Sequence, residues 1–250
     1  MKKALLFTVI AAVTLSFSSL AKAENGGTYD SNGSVQFIPK KDITEPLDPE
    51  NPNPEEPVTP IDPTDPTGPN PGTPGPLSID YASSLNFGEN EISTKDRVYA
   101  AKAQELSDGR FVPNYVQITD NRGSNAGWSL HVKQNGQFEN ENAQHTTLTG
   151  ASISFSEPTI KGTLNDVTAP TATNSFQLDP EGASTLVMSA AKGAGAGTWV
   201  NHFGGLTSLE GGDVITPAIE LFVPGVTPKD NTEYRTTLTW TLSDVPGNNN

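Results

Sequence analysis

The sequence predicts an all-β fold, a β-sandwich or Greek-key-like domain preceded by a Pro-rich extended linker. Three observations carry this. Short runs rich in Val, Ile, Thr and aromatic residues alternate apolar and polar at period two. Turn signals separate them: Ser107-Asp108-Gly109, Asn135-Gly136, Glu181-Gly182, Gly204-Gly205, Gly211-Gly212 and Pro224-Gly225. No stretch carries a helical stripe; residues 100–106 come closest, but their neighbours favour a strand. Many short strands with frequent turns point to a sandwich. The candidate strands are 78–81, 85–88, 98–106, 115–120, 128–134, 151–157, 175–178, 184–190, 198–202, 218–223 and 235–243.

Taken from its beginning, the chain opens with a signal peptide over residues 1–23. Lys2 and Lys3 form the positive n-region, residues 4–13 the apolar stretch, and Ala21-Lys22-Ala23 the small-x-small cleavage site. The apolar run is shorter than the roughly 20 residues of a membrane span. No Cys follows it, so no lipid anchor is expected, and no later segment reads as a span. The C-terminal V-P-G-N-N-N lacks a sorting signal. The expectation is a secreted protein retained at the cell surface by binding rather than by a covalent bond.

Residues 24–41 form a short N-terminal segment with one candidate strand. Ser34-Val35-Gln36-Phe37-Ile38 places Val35 and Phe37 on one face. One such run cannot bury itself. Docking on the downstream domain is the favoured reading, and strand addition to another protein is the other. Residues 42–76 read as a linker. Asp-Pro and Thr-Pro pairs recur (Asp48-Pro49, Thr59-Pro60, Asp62-Pro63, Asp65-Pro66), then the run becomes Gly-Pro-rich. Proline fixes φ and lacks a donor, and the residue before it is pushed toward extended geometry. A solvated, semi-rigid spacer is expected. Its acidic residues lack calcium-loop spacing. Residues 77–250 form the β-domain.

Composition narrows the function classes. The chain has no cysteine, so a core rather than disulfides must stabilise the domain. The formal net charge is -14, and loss of the three lysines of residues 1–23 takes it to -17. That excludes nucleic acid as an expected partner and disfavours anionic polymers bound by charge. Catalysis is not expected. His131, His145 and His202 have no zinc-site spacing, and no G-x-S-x-G motif occurs. The carboxylates Glu139, Glu141, Asp213 and Glu220 have no distinguishing context, so each reads as a solvated charge. No metal and no cofactor are expected. The run of residues 190–197, A-A-K-G-A-G-A-G, lacks the G-K-[ST] of a phosphate loop and reads as a mobile surface loop or a bend.

Two W-x-L patterns stand out in a chain with three tryptophans: Trp128 and Leu130 in G-W-S-L-H-V, and Trp240 and Leu242 in Y-R-T-T-L-T-W-T-L-S-D. Residues two apart on a strand share a face. Each pair therefore sets one aromatic beside one branched aliphatic side chain. Two readings stay open, a core-facing face and an exposed platform that stacks on sugar rings. Trp199, beside Asn201 and His202 in T-W-V-N-H-F, is a rival ligand contact.

The chain resembles the WxL-domain surface proteins of low-GC Gram-positive bacteria. The resemblance rests on G-W-S-L at residues 127–130, Y-R-T-T-L-T-W-T-L-S-D-V-P at the C-terminus, P-L-S-I-D-Y-A-S-S-L-N-F-G at residues 76–88, and the Pro-rich run before it. It implies non-covalent attachment to the cell wall, with peptidoglycan or another wall polymer as ligand and no enzymatic activity. The attachment residues it implies are Trp128, Leu130, Trp240 and Leu242; Trp199 and His202, outside the motif, stand as additional candidate contacts on their own sequence context. It also implies membrane-anchored WxL-interacting proteins and other surface proteins as partners. The alternative is a protein-interaction subunit or adhesin that binds host matrix or another wall protein.

Overall fold

The computed structural model describes residues 27–245. The signal peptide expected over residues 1–23 lies outside the described residues. Residues 27–37 form a unit by themselves. They contain no strand, and Val35 and Phe37 are exposed, as is Ile38 just beyond them. The strand expected at Ser34 to Ile38 is not formed.

The unit from residue 38 onward is all-β, and no helix occurs among the described residues. Its strands are β1 (Leu77–Ala82), β2 (Arg97–Lys102), β3 (Gln104–Glu105), β4 (Phe111–Val112), β5 (Tyr115–Asp120), β6 (Trp128–Gln134), β7 (Ser152–Ser156), β8 (Pro158–Gly162), β9 (Thr171–Ala172), β10 (Ser175–Gln177), β11 (Thr185–Ala190), β12 (Gly197–Phe203), β13 (Thr207–Ser208), β14 (Val214–Val223) and β15 (Leu238–Ser243). Three antiparallel sheets result. Their orders are β1-β5-β12-β8, β15-β6-β11-β9, and β10-β7-β14-β13 with β2 also paired to β14. A small β3-β4 ribbon completes the set.

Alternation decides which side of each strand faces the core. On β5, Val116 and Ile118 enter the main core, while Tyr115 belongs to a second, smaller cluster with Tyr81, Leu106, Val112 and Val200. The main core gathers Trp128, Leu130 and Val132 from β6, Ile153 and Phe155 from β7, and Ile219 and Leu221 from β14. Phe155 stacks on Phe176 of β10 at 4.9 Å between ring centres.

Two expected strands differ. Residues 98–106 break into β2 and β3 around Ala103, whose N–H donates to Val214 O. Residues 85–88 form a loop rather than a strand. Conversely, β8 had no clear signal because it begins at Pro158 and contains Lys161 and Gly162. As the edge of its sheet, it tolerates a proline.

The Pro-rich run departs from the solvated spacer expected of it. Leu47 is only 3% exposed. Its N–H donates to Gln117 Oε1 at 2.7 Å, and Gln117 Nε2 donates to Glu45 O at 2.9 Å. Ile61 N donates to Glu105 O, Ser107 N to Thr59 O, and Gln104 Nε2 to Ile61 O. Arg110 and Asp48 form an ion pair at 2.6 Å. Prolines remove donors from the run, and side chains of β3 and β5 complete the bonding of what remains. Residues 45–61 are thus a strap bound to the β-domain.

Beneath the strap lies a buried polar cluster. Asp80 accepts from Ser78 Oγ at 2.6 Å, Gln117 Nε2 at 2.9 Å and Thr119 Oγ1 at 2.5 Å. Burial pushes its carboxyl above the ordinary value of 3.8, against the downward pull of those donors. Between pH 3.8 and its folded value, Asp80 therefore keeps a proton that the unfolded chain has released. Its contribution to stability is complete below pH 3.8 and is lost as pH rises through the folded value. Urea melts across that window should show wild type losing stability with rising pH more steeply than Asp80→Asn; identical slopes would contradict this. Leu47→Ala should cost about 2–5 kcal/mol, the range for a buried leucine, and thermal melts that do not shift would show that the strap adds no stability.

Candidate functional site

The two W-x-L patterns lie on neighbouring strands. β15 pairs antiparallel with β6, and the register sets Leu242 opposite Leu130 and Trp240 opposite Val132. Trp128, Leu130 and Val132 share one face with Leu238, Trp240 and Leu242. Because the strands are antiparallel, the leucines meet in the middle and the tryptophans extend toward opposite ends. The flanking Thr239 and Thr241 are exposed on the other face.

The two tryptophans have different environments. Trp128 and Leu130 are completely buried, whereas Trp240 and Leu242 are half-buried. β6 is covered on both edges, by β15 and β11, while β15 is the edge of its sheet. Trp128 donates its indole N–H to Gly195 O at 3.0 Å. Trp199, 5% exposed, donates to Ala196 O at 2.9 Å. The glycine-rich run is therefore a packed bend rather than a mobile loop, and adjacent carbonyls in it satisfy both buried indoles. Gly195 has φ +72°, and a Cβ there would meet the Trp128 indole nitrogen at 2.8 Å. Gly162, opposite Trp199 on β8, lies under the Trp199 ring, where a Cβ would come within 2.6 Å.

Trp199 and His202 are thus placed inside the fold, away from the surface position expected of a ligand contact. The His202 ring faces Gly204 O at 3.1 Å, and burial lowers its pKa below the ordinary 6.5. The carboxylates Glu139, Glu141, Asp213 and Glu220 are exposed. Among the described residues, no group of three or more His, Asp or Glu side chains converges as metal ligands would.

One cleft of about 780 Å³ reaches Trp240. Its apolar lining includes Leu85, Phe87, Tyr99, Phe138, Ile153, Leu221, Tyr234 and Leu238. Phe87 and Phe138 meet edge to face at 6.2 Å. Asn70, Thr73, Asn86 and Asn90 add polar groups, and Asp62, Asp65, Glu91, Lys229, Glu233 and Arg235 add charged ones. Sequence reasoning missed these residues. Their signals were N-F-G at residues 86–88 and Y-R at residues 234–235, both inside the motifs that carried the resemblance but without an assigned role.

The segment 229–235 that helps line the cleft is held from several sides. Lys229 Nζ donates to Ser93 O, Pro224 O and Thr227 O at 2.8–3.2 Å. His145 Nδ1 lies 2.8 Å from Asp230 Oδ1, and hydrogen bonds from the His145 side chain and backbone hold the Asp230 carboxyl below its ordinary pKa. Tyr234 Oη accepts from Asp230 N and donates to His145 O. Arg235 donates to Glu233 and to Thr64 O. The cleft is therefore preformed, which lowers the ordering cost of binding.

Trp128→Ala should destabilise the fold by about 3–5 kcal/mol, and Trp240→Ala by clearly less, because Trp240 leaves less buried volume empty. Denaturant melts of the two variants check this, and equal losses would contradict the different burial.

No curated protein and no solved structure matches the chain. A family model described as "WxL domain surface cell wall-binding" matches residues 24–246. Among the described residues, no helix is long and apolar enough to cross a membrane. With nearly its whole length matched, and with both W-x-L strands paired in one sheet, the chain belongs to the WxL family of surface, cell-wall-binding domains.

Proposed function

We propose that this protein is secreted and held at the wall by non-covalent binding of peptidoglycan in the cleft that Trp240 lines. One observation carries this. Of the two motif tryptophans, Trp240 alone combines partial exposure with a place in a preformed aromatic cleft. The cleft is concave and sets an aromatic and aliphatic wall beside polar and charged groups, the mix of packing surface and orienting groups that a ligand site uses. On this reading Trp240 is the contact, Leu242 supports it from the same strand, and Trp128 and Leu130 brace the strand from within. Binding is the activity, and no catalytic group takes part.

A second reading, a protein-interaction subunit or adhesin that uses the N-terminal segment, is favoured by the exposure of Val35, Phe37 and Ile38, each at 77–87%. Such a segment suits strand addition to a partner protein, whether a host matrix protein, another wall protein or a membrane-anchored WxL-interacting protein.

Sedimentation with insoluble peptidoglycan stripped of teichoic acid and protein tests the first reading. Wild type should pellet, and Trp240→Ala, folded by its melt, should bind about tenfold or more weakly. Wild type left in the supernatant would remove direct wall binding. Pelleting with unstripped wall alone, lost on deletion of residues 24–40 and unaffected by Trp240→Ala, would favour the second reading.

A further inference from the structure

The backbone of β15 is as informative as its side chains. Asn135 N donates to Thr237 O at 2.9 Å, and the register continues through Thr239 opposite Lys133, Thr241 opposite His131 and Ser243 opposite Ser129. In an antiparallel ladder, bonded pairs alternate with non-bonded pairs, and residues of a non-bonded pair turn their N–H and C=O away from that partner. The phase set at Asn135–Thr237 makes the odd-numbered residues of β15 the bonded ones. Leu238, Trp240 and Leu242 therefore aim their peptide groups at the outer edge. β15 has no strand partner on that edge, and among the described residues no other backbone group pairs with these three.

The same stretch reaches the cleft, since the Leu238 and Trp240 side chains line it. β1 also lines it and passes close to β15 without pairing to it. The edge of β1 is already occupied at Ile79, whose C=O accepts from Thr73 N and whose N–H donates to Thr73 Oγ1. The unpaired row of donors and acceptors beside this cleft thus belongs to β15.

We propose that the moiety bound here is the peptide of peptidoglycan rather than its glycan, added as a short extended strand to the outer edge of β15 with its side chains in the cleft. This rests on the wall-binding reading above. Peptidoglycan offers two chemistries, sugar rings and stem peptides. A sugar chain carries no regular row of N–H and C=O groups to match a strand edge. A stem peptide does carry peptide N–H and C=O groups; its γ-linked D-glutamate breaks their even spacing, but the residues on either side can still pair with a strand edge, and strand addition supplies affinity from the main chain. The six residues of β15 span roughly 20 Å at ~3.3 Å per residue, enough edge for a short extended stem. Trp240 serves both parts, its indole in the cleft and its peptide group on the edge.

The test compares intact sacculi, glycan strands freed of peptide by an amidase and coupled to beads, and soluble uncross-linked stem peptide, all with the full mature chain. Intact sacculi should pellet the protein, and peptide-free glycan should do so at least about tenfold less well. Soluble stem peptide should compete. It should also slow amide hydrogen exchange at Leu238, Trp240 and Leu242, while Thr239 and Thr241, already bonded to β6, change little. Equal pelleting by intact and peptide-free wall would overturn the peptide assignment and leave wall binding standing. Competition by the stem peptide without protection of the three even-numbered amides would overturn the placement on the β15 edge. Protection of those amides in protein alone, rising with protein concentration, would overturn it in favour of a second copy on the edge. Failure of intact sacculi to pellet wild type would overturn the wall-binding reading itself.

Discussion

Leu130 facing Leu242 across the β6–β15 ladder is the contact from which the rest of this fold can be read. It joins two segments more than a hundred residues apart in the chain. A slip of one residue would turn the whole apolar face of β15 to solvent, so the pairing fixes which face is inside. Trp128 anchors the far end of β6 by complete burial and an indole hydrogen bond to Gly195. The bend that supplies this carbonyl also supplies the one for Trp199. Two large aromatics on strands of different sheets are thereby tied to one short run. Glycine is needed at Gly195 because the backbone there comes too close to the indole for any side chain.

That arrangement divides work between two motifs that look alike. β6 has neighbours on both sides, so its W-x-L is consumed by the core. β15 lies at an edge, so its W-x-L keeps one margin free. An edge strand is ordinarily a hazard for aggregation. Here exposed Thr239 and Thr241 make the outer face polar, and the half-buried Leu238, Trp240 and Leu242 turn toward the core and the cleft. The nearby segment 229–235 is pinned by Lys229, by the His145–Asp230 pair and by Arg235. Its geometry is set before any ligand arrives.

Much of this was legible in the chain. Alternation along 128–134 and 235–243 gave both strands and the shared face of each W-x-L, because period two is a local property. The coverage of those strands was not legible, because it depends on partners far away in sequence. The Pro-rich run illustrates the same limit. Its prolines correctly exclude helix and sheet interior, yet nothing local indicates that Gln117 will accept from Leu47 and donate to Glu45. β8 was missed because edge strands escape the pattern that buried strands must obey. Residues 85–88 alternate like a strand but serve as a loop beside the cleft, where Phe87 packs without a ladder.

The sequence by itself determined an all-β chain with no disulfides, a strongly acidic charge, two W-x-L strands and the family to which they belong. These follow from composition, from local periodicity and from residue identity, which need no knowledge of distant contacts. The tertiary structure decided that Trp128 and Trp199 are buried, that Trp240 is the motif tryptophan beside a cleft, and that residues 45–61 form a strap. It also decided which peptide groups of β15 remain unpaired. Those outcomes depend on which strand ends at an edge and on the phase of a hydrogen-bond ladder. Both are fixed only when β6 meets β15.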